Sequence, residues 1–304
     1  MCIRDSLWND TRANANIISI LQGYSDPRLE RWFATNNADI YSTDDELSPV
    51  VEKATKYLGV RQGVPMTRTE YQGYSKTSRV GIPEQGPRPV LRVAEAYFLR
   101  AEGMLRNWNM GDGTPESLYN EGIHSAWASV LGDESGWAGT YESYINGFIN
   151  TEEGGDFDWE LFEGGFGSAP YINYRNQEYN YYIEENGKQV GINRISVRWH
   201  DEDSPEKKLQ RIITQKWISF FPTLSSVAWT EYRRTGYPKL IPIPSDLNYS
   251  NGAIDTELQI RRLPFTQSEY RGNTEEVNKA LGLLKGPDNG GTRLWWDVDK
   301  GNFE

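Results

Sequence analysis

Five tyrosines, Tyr171, Tyr174, Tyr179, Tyr181 and Tyr182, fall within twelve residues, interleaved with Asn173, Arg175, Asn176, Gln177 and Asn180. A sugar ring has an apolar C–H face and a hydroxyl edge. An aromatic ring takes the face, and amides or a guanidinium take the edge through hydrogen bonds. Trp137 and Trp159 stand in neighbouring Gly-rich stretches. The expected ligand contacts are therefore Trp137, Trp159, Tyr171, Tyr174 and Tyr179 as aromatic faces, with Asn173, Arg175 and Asn176 as polar partners. A second reading stays open, in which the tract is a hairpin with one aromatic face in a core and its amides in turns.

Other candidates for chemistry read more plainly as structure. Glu95 and Glu102 lie two helical turns apart, about 10 Å by rise alone, which is beyond the usual carboxylate spacing of glycoside hydrolysis. Pairing with Arg92, Arg100 or Arg106 is their ordinary role. Arg233 and Arg234 precede Gly236 and Pro238, where cations favour a helix C-terminus and glycine stops it. Asp156, Asp158 and Glu160 alternate like calcium ligands but lack the spacing of an EF-hand loop. The two histidines, His124 and His200, and the single Cys2 leave little for a metal site, a disulfide or a His-led relay. There is no His-Glu-x-x-His, Gly-x-Ser-x-Gly or Gly-Lys-Ser/Thr motif. The expectation is a protein that is not an enzyme and has no cofactor and no metal.

Composition narrows the class further. The chain has 304 residues, with 43 acidic against 32 basic side chains and a net charge of −11. That balance opposes a general nucleic-acid or anionic-membrane surface, which needs a basic face. Eleven Trp and 18 Tyr give an aromatic-rich, weakly apolar chain, with no run long enough to span a bilayer.

The elements that must position the tract are helical. Leu91, Ala94, Phe98, Ala101 and Leu105 recur at helical spacing, and so do Tyr119, Ile123, Ala126 and Val130 behind a Thr114-Pro115 start. Together they make an αα-hairpin over about residues 89–131. A third stripe, Leu209, Ile213, Trp217 and Phe220, follows Ser204-Pro205, and a helix over 226–233 precedes Gly236. This hairpin is expected to pack against the third helix. Weaker stripes occur at Leu47, Val51, Ala54 and Leu58 and at Val277, Ala280, Leu281 and Leu284. Residues 7–43 read as irregular, and about 132–203 as a loop-rich insertion with a hairpin around Asn186-Gly187 and a strand ending at His200. Trp217, Trp229, Trp295 and Trp296 read as core.

Five blocks in order carry a family resemblance: Asp26-Pro27-Arg28-Leu29; Arg92 to Glu102; Gln215-Lys216-Trp217-Ile218 with Ala228 to Pro238; Arg261-Arg262-Leu263-Pro264 with Ser268-Glu269-Tyr270 and Asn273; and Trp295-Trp296-Asp297. Together they resemble the SusD/RagB family of outer-membrane nutrient-binding lipoproteins, in its SusD-like branch. The aromatic-amide tract is the stretch with least resemblance.

The resemblance implies a mainly α fold of tetratricopeptide-like helical hairpins, here with loop-rich and small β-hairpin insertions. It implies non-catalytic binding of glycans or other oligomeric nutrients at the cell surface. The implied partner is a TonB-dependent, SusC-like transporter in the outer membrane, reached through a lipid anchor. Cys2 has nothing apolar before it, so it does not resemble a lipobox cysteine. Met1 to Ser6 resemble sequencing-adapter read-through, and residues 7–304 read as one domain lacking an N-terminal part. Such a chain is expected to expose apolar helix faces and to associate. Two rival classes are an all-helical glycoside hydrolase, betrayed by release of reducing sugar, and a helical interaction scaffold without glycan retention.

Overall fold

The computed structural model describes residues 11–35, 89–146, 195–243, 247–297 and 300–304, two short strands between 182 and 191, and scattered positions from 57 to 77. The helical stripe expected at 47–58 lies outside the described residues, apart from Tyr57. In chain order the helices are α1 (Ala15–Gly23), α2 (Arg28–Trp32), α3 (Val93–Leu105), α4 (Pro115–Leu131) and α5 (Ala138–Ile145). They continue with α6 (Pro205–Phe220), α7 (Ser225–Thr235), α8 (Gln267–Gly272) and α9 (Thr274–Leu283).

The α3–α4 hairpin forms for the expected reasons. Thr114 caps α4, accepting from the Ser117 amide at 3.1 Å while the Ser117 hydroxyl accepts from the Thr114 amide at 2.9 Å. Pro115 occupies the first helical position, where a missing N–H costs nothing. Ala94, Phe98 and Ala101 of α3 meet Tyr119, Ile123 and Ala126 of α4, all buried. Leu91, assigned to this stripe, precedes the helix and is exposed.

Gly122 lets the two helices close. A Cβ there would meet the Phe98 ring at 2.6 Å. Phe98 is fully buried and cannot yield. Gly122→Ala should therefore destabilise by about 1–3 kcal/mol through overpacking, despite alanine's better helix propensity. A urea midpoint equal to or above the parent's would refute this.

Helix α6 is central. Ser204 caps it, with Pro205 next, and it is buried on most sides, from Leu209 and Ile212 to Ile218 and Phe220. It packs on α3, α4 and α7. Helix α7 stops at Gly236, whose φ of 76° is left-handed, a conformation glycine adopts without steric penalty. Residues 195–200, where a strand was expected, form no strand and bend at 197–198, and their Ile195, Val197 and Trp199 reach the core.

The expected fold class, helical hairpins with loop-rich and small β-hairpin insertions, is corrected here. Among the described residues the architecture is helical, and no β-sheet layer is built into it. The only regular pairing among the described residues is an isolated ribbon, β1 (Tyr182–Glu185) with β2 (Lys188–Gly191), antiparallel from Tyr182↔Gly191 to Glu185↔Lys188. Two four-residue strands without a third have too little buried surface to form a layer of their own. The start of the supposed loop insertion is also helical. Trp137, Tyr141 and Tyr144 recur at spacings of four and three, so α5 turns one aromatic face into the core.

Candidate functional site

A cleft is built by α1, α6 and α7 with the segment that follows α7. Trp217 and Phe220 of α6, Trp229 and Tyr232 of α7 and Ile17 of α1 line this cleft of about 590 Å³, bounded on its far side by Leu240, Ile243, Asn248, Ile254 and Ile260. The Trp229 and Tyr232 rings stack at 5.7 Å with planes 20° apart. Burial pushes the Tyr232 hydroxyl above its ordinary pKa, and it donates to the Glu257 carbonyl at 2.8 Å.

Several polar side chains of the cleft bond to backbone groups, and Gln62, Ser225, Thr256 and Gln259 also line it. Asn14 Oδ1 accepts from the Asn16 amide at 2.9 Å, and Asn16 Oδ1 from the Ile241 amide at 2.7 Å. Asn248 Nδ2 donates to the Ile254 carbonyl at 2.7 Å while its Oδ1 accepts from the Ser250 amide at 3.1 Å. Asp255 Oδ1 accepts from the Glu257 and Leu258 amides. These contacts shape the walls and leave a mainly apolar interior.

Of the residues expected to contact ligand, Trp137 is described. It is 5% exposed, and its Nε1 donates to the Gly132 carbonyl at 3.1 Å. His124, Trp127 and Tyr141 surround its ring at 5.1–5.9 Å. Trp137 is thus a core residue here, with no open face for stacking, because α5 folds it inward against α4. Trp159, Tyr171, Asn173, Tyr174, Arg175, Asn176 and Tyr179 lie outside the described residues, as does the acidic tract 156–160. Trp217 and Trp229, expected as core, are half-buried cleft walls. Trp295 and Trp296, also expected as core, are 83% and 60% exposed. Among the described residues no three His, Cys, Asp or Glu side chains cluster as metal ligands, and no helix is long and apolar enough to cross a membrane.

The charged residues singled out in the sequence tie the chain together. Asp26 and Arg28 form a fully buried bidentate pair at 2.6 and 2.9 Å. Tyr144 donates to Asp26 Oδ2 at 2.8 Å, and Gln215 Nε2 donates to the Tyr144 hydroxyl at 2.9 Å. Burial alone would lower the Arg28 pKa, but Asp26 outweighs it and holds the guanidinium charged. Glu102 takes Arg234 at 2.6 and 2.7 Å and Arg106 at 3.0 Å. Arg233 donates to the Arg261 carbonyl, and Arg261 in turn pairs with Asp297.

Glu102 carries a pH consequence. Burial raises its pKa, but the two guanidiniums outweigh that and hold it below the ordinary carboxylate range. A depressed folded pKa means stability that is complete above the unfolded value, near ~4.3, and lost as pH falls through the folded one. The parent should lose thermal stability on acidification below about pH 4 more steeply than Glu102→Gln, whose profile should be flatter. Parallel profiles for the two would count against the pairing.

The model of the SusD-like family, described as Susd and RagB outer membrane lipoprotein, matches residues 2–144 and 166–297. The chain belongs to the SusD-like family. It therefore belongs to a group of outer-membrane lipoproteins. The match starts at residue 2, within the six residues that resemble adapter read-through, and includes the aromatic-amide tract at 171–182. Trp159 and the acidic tract fall in the unmatched 145–165.

Among solved structures, a chitin-binding SusD homolog from Flavobacterium johnsoniae is 37% identical, with a TM-score of 0.70, over 98% of this chain and 52% of its own. A SusD homolog from Bacteroides vulgatus ATCC 8482 is 32% identical, with a TM-score of 0.69, over 99% of this chain and 52% of its own. Another from Bacteroides uniformis ATCC 8492 is 29% identical, with a TM-score of 0.67, over 95% of this chain and 50% of its own. This SusD-like chain thus spans about half the length of these relatives. None of the curated proteins compared with it matches. In this chain the five signature blocks are joined by side-chain bonds: Arg28 to Gln215 at 3.4 Å, Glu102 to Arg234, and Arg233 through Arg261 to Asp297. Their shared property is structural.

Proposed function

We propose that the protein containing this chain binds glycans at the cell surface without catalysis and hands them to a TonB-dependent, SusC-like transporter in the outer membrane. The observation that carries this is the similarity, over 98% of the chain, to a homolog described as chitin-binding. Oligomers of N-acetylglucosamine are accordingly the first ligands to test. The contacts we assign are Trp159, Tyr171, Tyr174 and Tyr179 as stacking faces, with Asn173, Arg175 and Asn176 as hydrogen-bonding partners. Tyrosine and tryptophan lose little rotamer freedom on binding and present a large face, which suits repeated capture and release.

Calorimetric titration with chitooligosaccharides and a panel of other glycans tests the assignment. Tyr174→Ala and Trp159→Ala should each bind about tenfold more weakly than the parent, at ~1.4 kcal/mol per decade, with unchanged folding. If both variants are folded and bind as tightly as the parent, the site is elsewhere. Release of reducing ends on incubation would overturn the non-catalytic reading and favour a hydrolase.

A further inference from the structure

Arg28 is fully buried and Arg92, just before α3, is half-buried, yet one carboxylate serves both. That carboxylate, Asp26, is already saturated. Its Oδ1 accepts from the Arg28 amide and from Arg28 Nε, each at 2.9 Å. Its Oδ2 accepts from Arg28 Nη2 at 2.6 Å and from the Tyr144 hydroxyl at 2.8 Å. A carboxylate offers about four lone-pair sites, so none is left. Arg28 Nη1 is buried without a hydrogen-bond partner. Arg92 pairs with no carboxylate among the described residues. Its Nη2 makes only long contacts, 3.4 Å to the Phe221 carbonyl and 3.5 Å to the Thr223 hydroxyl, and its Nε is buried without a partner.

The two guanidiniums lie around one pair of rings. Arg28 Cζ is 5.6 Å from the centre of the Trp32 ring, the Trp32 and Phe221 rings are 4.9 Å apart, and the Phe221 carbonyl is the one that Arg92 reaches. Burial, and after it the charge of Arg28, holds the Arg92 pKa below its ordinary value. Arg92 is also the N-cap residue of α3, which no side chain caps, so the positive end of that helix adds to the local charge. A buried charge without a counter-ion is strongly destabilising, and buried N–H groups left unpaired call for a bound species. Water fits poorly, because it brings two hydrogens of its own and the unsatisfied atoms are all donors. An anion only accepts.

We propose that Arg28 and Arg92, beside the Trp32 and Phe221 rings, bind one small monovalent anion, a halide or a carboxylate. The anion accepts from Arg28 Nη1 and Arg92 Nε and balances the second positive charge. None of these residues enters the glycan assignment, so the two readings fail separately.

Urea unfolding in sodium gluconate, sodium chloride and sodium acetate at one ionic strength tests this, gluconate being too bulky for a buried site. In the parent, chloride or acetate should raise the folded-to-unfolded ratio saturably, by about tenfold at ten times the dissociation constant. Arg92→Met keeps the aliphatic stem and leaves Arg28 in place. It should respond to neither anion, and in gluconate it should be at least as stable as the parent, since one of two like charges is gone. Arg92→Lys keeps the charge but lacks Nε, and should respond with about tenfold weaker affinity. A response to chloride alone assigns the site to a halide, and a response to acetate alone assigns it to a carboxylate. A parent equally stable in all three salts would overturn the proposal and leave the N–H groups to water. An Arg92→Met variant that responds as the parent does would overturn it equally, because the salt would then act on the chain as a whole.

Discussion

Asp26→Ala should destabilise the chain by about 3–5 kcal/mol, a large part of the stability of an ordinary domain. Asp26 and Arg28 both have fully buried side chains. Removing the carboxylate leaves the Arg28 guanidinium charged and without its main counter-ion in a low-dielectric interior. It also removes the acceptor of the Tyr144 hydroxyl and loosens the link through Gln215 to α6. The loss therefore reaches three elements that are distant in sequence. Desolvation makes the pair itself a poor net stabiliser, so replacing both partners with apolar residues, as in Asp26→Leu with Arg28→Met, should be less damaging than Asp26→Ala alone. Chemical denaturation of the three proteins measures this. A loss under ~1 kcal/mol for Asp26→Ala would mean that the guanidinium finds water or another anion. A double variant worse than the single would mean that the pair is a net stabiliser.

Trp127→Ala is the second large effect, at about 3–5 kcal/mol for loss of a buried indole. Trp127 is fully buried on α4. It meets Trp137, Tyr141 and Tyr144 with ring centroids 5.8, 5.6 and 4.7 Å away. Two of these contacts are edge-on, the arrangement that ring quadrupoles favour. The indole is the main apolar link between α4 and α5, so its removal should open a cavity there and release α5. Near-ultraviolet dichroism should lose intensity while far-ultraviolet helicity falls only by about one short helix. Trp127→Phe keeps an aromatic ring and should lose less than half as much. An alanine variant as stable as the parent would show that α5 contributes little to folding.

Both predictions rest on residues whose sequence context conceals their role. Asp26-Pro27-Arg28 is visible as a motif, yet nothing local says that Gln215 and Tyr144 complete its hydrogen bonds. Tyr141 and Tyr144 follow Trp137 at helical spacing, a signal that was present in the sequence. It was masked by a Gly-, Asn- and aromatic-rich composition that resembles binding loops. Trp137, expected at ligand on that composition, lies in the core.

Local sequence is enough to specify the elements with one apolar face and clear ends. Helices α3, α4, α6 and α7 follow from periodicity, from caps at Thr114 and Ser204, and from the stop at Gly236, because local backbone and side-chain chemistry acts within a few residues. The ordered signature blocks identify the family for the same reason, being read locally. Tertiary structure decided the rest. Helix α1 is buried on nearly every side, from Ala15 to Leu21, so it has no polar face and no 3.6-residue stripe. Trp295 and Trp296 are as apolar as Trp127 yet exposed, since burial depends on what packs above a residue and not on its type. The joining of Glu102 to Arg234, of Arg261 to Asp297 and of Arg28 to Gln215 needs the chain already folded, because charges and amides far apart in sequence meet only when the helices between them have packed.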